Sequence, residues 1–258
     1  MFNPANYTAF FLPIIITMPR LMATVSVVPF LSGEVMSGFI RSGFVVMLAI
    51  FFSPVVGDNL PEMEPFTLLV LAAKEILIGL MLGMAFSLFL WAIQSVGDLI
   101  DFETGSANAT FFDPVTGHEG GPTGAFLSQL VTTLFISAGG LLAILGVLVE
   151  SYRIWPITSY MPHVDVVLEQ FVIRQGDTLL IWIIKLGAPI ILVLMLTDLG
   201  LGLVNRFAPQ LNVFVFSQPL KSFLASLMMI LFLTFVFELL SGFMRPGNDV
   251  LSFLRAML

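Results

Sequence analysis

The chain has 258 residues, of which 58% are hydrophobic and only 10% charged, with a mean hydropathy of +1.02 and a net charge of −7. Soluble domains carry about 25% charged residues, so ten basic and 17 acidic side chains cannot clothe a water-facing surface at this size; a bilayer or apolar partners must cover much of it. The Lys and Arg residues are scattered singly and form no cluster to neutralise phosphates, which argues against nucleic acid, and the absence of cysteine excludes disulfides, thiolate metal sites and a Cys nucleophile.

Six apolar segments follow one another, roughly 8–30, 39–57, 66–93, 125–149, 179–204 and 221–243. A helix crosses a hydrocarbon core with about 20 apolar residues. The first segment opens on Met-Phe-Asn-Pro-Ala-Asn-Tyr, with neither a basic start nor an Ala-x-Ala-like site, so it is expected to be retained rather than cleaved. It carries Pro13, Pro19 and Arg20. The second is short and ends near Pro54, the fifth holds Lys185, Pro189 and Asp198, and the sixth runs to Glu238 and beyond. The two longest stretches free of charge are Ile76–Gly97 and Gly120–Val149. Proline removes a helix hydrogen bond, and ionisable groups at membrane depth face protein or water. The expectation is an all-α, polytopic membrane-type protein of about six long, partly kinked helices arranged as hairpins. No fixed-period repeat or low-complexity segment divides residues 1–258, which are read as a single helical domain.

Loop charges vote weakly on orientation. Termini inside would gather Lys74, Arg153, Arg174, Arg245 and Arg255 on the cytoplasmic side, against Arg41, Arg206 and Lys221 for the reverse. Trp91 stands toward the end of one charge-free stretch and Trp155 just beyond the other, where interfacial anchors or ordinary packing aromatics both occur. Gly79, Gly83 and Ser87 recur every four residues, placing small side chains on one helix face and permitting close approach of another helix.

Chemistry is sparse. His118 and His163 are far apart with no Cys or paired carboxylates nearby, so no metal or other cofactor is expected. Asp198-Leu-Gly-Leu-Gly resembles intramembrane protease motifs, but the order differs and no second embedded Asp is available to share a proton. Lys185 and Asp198 are thirteen residues apart, about 220° around a helix of 3.6 residues per turn. Adjacent Lys74 and Glu75 are not expected to share a face. Structural pairing with partner helices is the bland expectation for Lys74, Glu75, Lys185, Asp198 and Glu238. An ion-coupled small-molecule transporter using Lys185, Asp198 and Glu238 is the alternative.

The stretch from 94 to 124 is the most informative. It starts with an acidic group, Asp98, Asp101 and Glu103, continues through Ser106-Ala-Asn-Ala-Thr-Phe-Phe-Asp-Pro, and ends with Gly117, Gly120, Gly121, Pro122 and Gly124. A long connection without periodicity is functional or disordered. Small residues around Phe111 and Phe112 do not have the composition of a solvated linker, and suggest a loop packed on something apolar.

At this loop the sequence resembles the FliR/SctT family of type III secretion export-gate subunits. Lys74-Glu75-Ile-Leu-Ile-Gly79-Leu-Met-Leu-Gly83 is similar to that family's Glu-x3-Gly-x3-Gly element. Gly97-Asp98-Leu-Ile-Asp101-Phe-Glu-Thr-Gly105 and Asp113-Pro114 follow, then Ser151-Tyr-Arg-Ile-Trp155-Pro156 and Ala208-Pro209-Gln210-Leu211-Asn212-Val213-Phe214. The elements span about residues 70–220 in the family's order. Trp155-Pro156 resembles the injectisome branch rather than the flagellar one.

The resemblance implies a core, non-enzymatic subunit of the export gate. Such a gate is a helical array of kinked hairpins around a pore that passes unfolded polypeptides across the bacterial inner membrane. The implied partners are FliP/SctR-like and FliQ/SctS-like sister subunits, a FlhB/SctU-like switch protein, the secreted polypeptides and membrane lipid. Part of the assembly is expected inside the basal body on the periplasmic side, with energy from an associated ATPase and the proton-motive force. The loop at about 106–117 is implied to plug the pore, through Ser106, Ala107, Asn108, Ala109, Thr110, Phe111, Phe112, Asp113 and Pro114. Gly105, Gly117, Gly120 and Gly121 would hinge it, because glycine accepts backbone angles denied to other residues. Phe side chains and small residues close a pore by excluding water, and partner subunits satisfy backbone groups freed by proline.

Overall fold

The computed structural model describes residues 4–31, 36–56, 64–106, 121–159, 174–210 and 213–243. Among these residues the chain is all helical, with seven α-helices and no strand. They are α1 (Pro4–Val27), α2 (Gly38–Val56), α3 (Pro65–Thr104), α4 (Pro122–Ser137), α5 (Gly140–Ile154), α6 (Arg174–Phe207) and α7 (Val213–Phe243), with a 3-10 turn at Pro29–Leu31. By length and composition α2, α3, α6 and α7 suffice to cross a membrane, and α4 with α5 would add a fifth, broken span. The protein is therefore polytopic and of membrane type.

Two boundaries differ from the sequence expectation. The fourth apolar segment is two helices, because the chain turns at Ala138–Gly139, where Gly139 has φ +90°. Only glycine takes that left-handed angle readily. The third helix does not stop near residue 93. It continues to Thr104, so residues 94–104 are helix rather than connection. The buried positions there are Ile93, Val96, Gly97, Ile100, Asp101 and Thr104, a single stripe at helical spacing. Two of its members are polar, and this hid the stripe from a hydrophobicity scan.

Prolines are carried inside helices at Pro13, Pro19, Pro54, Pro189 and Pro219. α3, which contains none after its first residue, is the most covered: 72% of its apolar window is buried, against 22% for α2, α6 and α7.

The described chain separates into two compact units. One holds α1, α2, α3 as far as Leu88, and α5. α1 lies on α2, and α2 reaches α5, where the Phe52 and Tyr152 rings meet edge-on at 6.4 Å. α3 approaches α1 through its small-residue stripe. A Cβ on Gly79 would lie 2.8 Å from the Ala23 Cβ, and one on Gly83 2.9 Å from the Val27 Cβ. Thr24 donates to the Gly79 carbonyl at 3.0 Å, and Ser87 to that of Val27 at 3.1 Å. Gly79, Gly83 and Ser87 thus face α1, at a spacing that no larger side chain would allow.

The second unit holds α3 from Phe89, α4, α6 from Gly176, and α7. Its buried residues include Phe89, Val96, Val131, Phe135, Leu194 and Val236. Phe89 meets Trp182 of α6 edge-on at 5.7 Å, and a Cβ on Gly97 would come within 2.7 Å of the Gly124 nitrogen on α4.

Candidate functional site

Two polar centres stand out, one in each unit. The first joins α1, α3 and the end of α5. Arg20 donates to Glu75 through both Nε (2.6 Å) and Nη2 (3.0 Å), a bidentate pair in which both side chains are fully buried. Arg20 Nη1 also reaches Ser151 Oγ at 2.9 Å, Nη2 reaches the Trp155 carbonyl at 3.0 Å, and the guanidinium lies 4.1 Å from the Tyr152 ring centre. Tyr152 in turn donates to the Thr17 carbonyl at 2.9 Å. Planar, forked Arg suits such a site because it meets a carboxylate with two parallel bonds and stacks on a ring.

Lys74 completes the centre. Its Nζ lies 3.0 Å from Glu75 Oε1 and donates to the carbonyls of Pro156 (3.1 Å), Ile157 (2.7 Å) and Ser159 (3.0 Å). Two cations and one carboxylate leave an excess positive charge, and the carbonyls just after α5 are where a helix presents its negative pole. Desolvating charges is costly unless every donor finds an acceptor; here each ionic side chain has several. The expectation that Lys74 and Glu75 cannot share a face therefore fails. The long Lys arm bends round α3 to the junction that Glu75 faces directly. Trp155 is buried to 2% exposure beside them, so it is a packing residue and not an interfacial anchor.

The second centre gathers around the last turns of α3. Lys221 of α7 pairs with Asp198 of α6 at 2.5 Å, donates to the Glu103 carbonyl at 3.0 Å and lies 3.8 Å from the Glu103 carboxylate. Unlike the first centre it is open: the Asp198 side chain is 46% exposed. A cleft of about 680 Å³ adjoins it, lined by Phe102, Glu103, Gly105, Asp198, Asn205, Gln218 and Lys221 among others. Two residues before Glu103, Asp101 is fully buried, and its Oδ2 accepts the backbone N–H groups of Thr123 (2.8 Å) and Gly124 (3.0 Å) at the start of α4.

The expected plug residues divide accordingly. Ser106 is described, part-buried, its hydroxyl 3.0 Å from that of Thr104. Ala107, Asn108, Ala109, Thr110, Phe111, Phe112, Asp113, Pro114, Gly117 and Gly120 lie outside the described residues. Gly105 has φ +77°, a glycine angle. Gly121 has φ −69° and ψ 159°, open to any residue; what glycine contributes there is room for the Asp101 carboxylate. Lys185 and Glu238 are exposed on α6 and α7, and Asp198 pairs with Lys221 rather than Lys185. Among the described residues no group of acidic, His or Cys side chains could hold a metal ion.

In the sequence Arg20 stands out only as a charge in an apolar segment, and Lys221 only as one of the scattered basic residues. Glu75 lies 55 residues from Arg20, and Asp198 and Glu103 lie 23 and 118 residues from Lys221, so nothing local announces these partners. The one available signal was an ionisable residue inside an apolar helix.

Residues 11–246, which include both centres, match the family of bacterial export proteins, family 1. The chain belongs to that family. It is 37% identical over 218 residues to the Yop proteins translocation protein T of Yersinia pestis, covering 83% of each chain. It is 30% identical over 205 residues to the surface presentation of antigens protein SpaR of Salmonella typhimurium, covering 79% of this chain and 76% of that one. The flagellar biosynthetic protein FliR of Pectobacterium carotovorum matches at 31% over 203 residues, covering 78% and 76%. As a bacterial export protein the chain is a structural subunit of the type III secretion export apparatus, not an enzyme. Its higher identity to the Yersinia translocation protein than to the flagellar protein agrees with Trp155-Pro156 and sets it in the injectisome branch.

Proposed function

We propose that the chain is a core subunit of the type III export gate. It forms part of the pore that passes unfolded polypeptides across the bacterial inner membrane, with residues 106–117 as the plug. The observation that carries this reading is the contrast between buried and uncovered helices. α2, α6 and α7 leave most of their apolar surface uncovered, yet the same surface of α6 includes Lys185, Pro189 and Asp198. Lipid receives apolar side chains readily but not charges, whereas neighbouring protein subunits accommodate both. FliP/SctR-like and FliQ/SctS-like subunits and a FlhB/SctU-like switch protein are the partners of this reading, and the assembly lies partly within the basal body on the periplasmic side.

The chain acts here as scaffold and seal, with no covalent step. α3 is the fixed post, bound to α1 by the glycine stripe and to the end of α5 by the Arg20–Glu75–Lys74 centre. The segment from 106 to 117 follows directly from the last turn of that post. Extracting the tagged chain in detergent is expected to bring sister subunits with it in fixed ratio, and deleting residues 107–116 is expected to make the assembled gate leak ions. A monomer that purifies alone and folded would refute the subunit role, and unchanged membrane conductance after the deletion would refute the plug. The transporter alternative gains nothing from the structure, since Asp198 is engaged by Lys221 and Lys185 stands apart from that pair.

A further inference from the structure

We infer that Asp101 is a positioning residue of the gate: its buried carboxylate holds the start of α4 against the last turns of α3, and so sets the separation of the two ends from which residues 107–120 depart. Its consequence for sealing rests on the plug reading; the tie itself does not.

Three observations converge on Asp101. First, α4 lacks a cap of its own. Gly121 offers no side-chain hydrogen bond, and Pro122, the first helical residue, has no N–H. The next free donors, on Thr123 and Gly124, both go to Asp101 Oδ2, 22 and 23 residues back along the chain. Asp101 thus does from a neighbouring helix what an N-cap Asp ordinarily does from within, with its charge at the positive end of the α4 dipole. Second, the side chain is fully buried. The two N–H groups of α4 are the only hydrogen bonds its carboxylate accepts among the described residues, Oδ1 having none, so they alone offset its loss of water while α4 is packed. Third, the approach is built for it. A Cβ on Gly121 would collide with the Asp101 carboxylate, and one on Gly124 with that of Asp98. Any side chain at either position would push α4 off.

The other end is fixed on the same post. Gly105, at φ +77°, turns the chain out of α3 beside Gln218. The spacing of the two departure points is therefore set by a contact one helical turn before the chain leaves α3, independent of the residues between them.

The test exploits a chain with no native cysteine. Cysteines placed at Phe102 and Phe126, both exposed, take spin labels in the assembled complex, and their distance distribution reports the position of α4 on α3. The parent should give one narrow distance. D101A should broaden and lengthen it, since losing a cap of this kind raises the untied population roughly 5- to 30-fold. D101N keeps an acceptor oxygen in place and should retain most of the narrow peak, a rescue that burial alone would not produce. Ion leak through vesicles carrying the complex should rise in D101A toward that of the 107–116 deletion, and less in D101N. An unchanged distance in D101A overturns the tie. A lengthened distance without leak, while the 107–116 deletion does leak, overturns the role in sealing. If the deletion itself does not leak, the plug reading falls and the sealing role with it, while the tie is decided by the distances alone. Should D101A fail to assemble, G121A, whose methyl takes the carboxylate's place, is read in the same way.

Discussion

The centre around Arg20 and the centre around Lys221 are built from similar parts, Arg or Lys cations paired with carboxylates where three helices meet, yet they differ in access to water. Arg20, Lys74 and Glu75 have 0–2% of their side chains exposed and end on serine, tyrosine and carbonyl partners. Lys221 is 10% exposed, while its partners Glu103 and Asp198 are 27% and 46% exposed beside an open cleft. A closed set of charges has no water to fall back on, so each member depends on the others. An open set can lose a partner and be rehydrated. The same ion types thus give a rigid joint in one unit and a tolerant contact in the other.

This comparison can be broken by substitution. The largest effect is expected from E75A, which strands the Arg20 and Lys74 cations without their carboxylate; breaking a buried pair costs about 3–5 kcal/mol. The variant should be missing from detergent-extracted assemblies, and what survives should melt at lower temperature at every salt concentration. A wild-type melting temperature would mean that the centre is not closed in the assembly. G83A comes next. Its methyl must enter the gap between α3 and α1 that leaves 2.9 Å to the Val27 Cβ, and overpacking of this kind costs about 1–3 kcal/mol. It should lower the melting temperature without changing the ionic-strength dependence. The smallest effect is expected from K221M. Exposed or half-exposed pairs contribute about 0.2–1 kcal/mol, and the loss should shrink as salt rises and screens the parent pair. A loss as large as that of E75A would show that partner subunits seal the Lys221 centre from water, which would sharpen the contrast into a property of the isolated chain.

Legibility followed periodicity and local spacing. The small-residue stripe at Gly79, Gly83 and Ser87 was visible because helix geometry alone fixes which residues share a face. The extension of α3 to Thr104 was not, because Asp101 and Thr104 occupy core positions that a hydrophobic pattern leaves blank. The break in the fourth segment had a local trace in Gly139–Gly140, but the same residues also occur in unbroken membrane helices. The orientation vote is also weakened by what the helices hold. Lys74, Arg41 and Lys221 were weighed as loop charges, and all three sit inside helices.

What the sequence determined by itself is class. Too few charges for a water-facing surface and six apolar runs were enough for an all-helical membrane-type protein, because composition and 3.6-residue spacing act residue by residue; the export family came from the resemblance of its ordered motifs. What only the tertiary structure decided is which polar groups meet. Arg20 finds Glu75, Lys221 finds Asp198 and Glu103, and Asp101 finds the bare start of α4. Each pairing joins residues 22 or more positions apart. Packing brings such groups together, and burial gives the contact its strength. Neither is encoded in the residues' immediate neighbours.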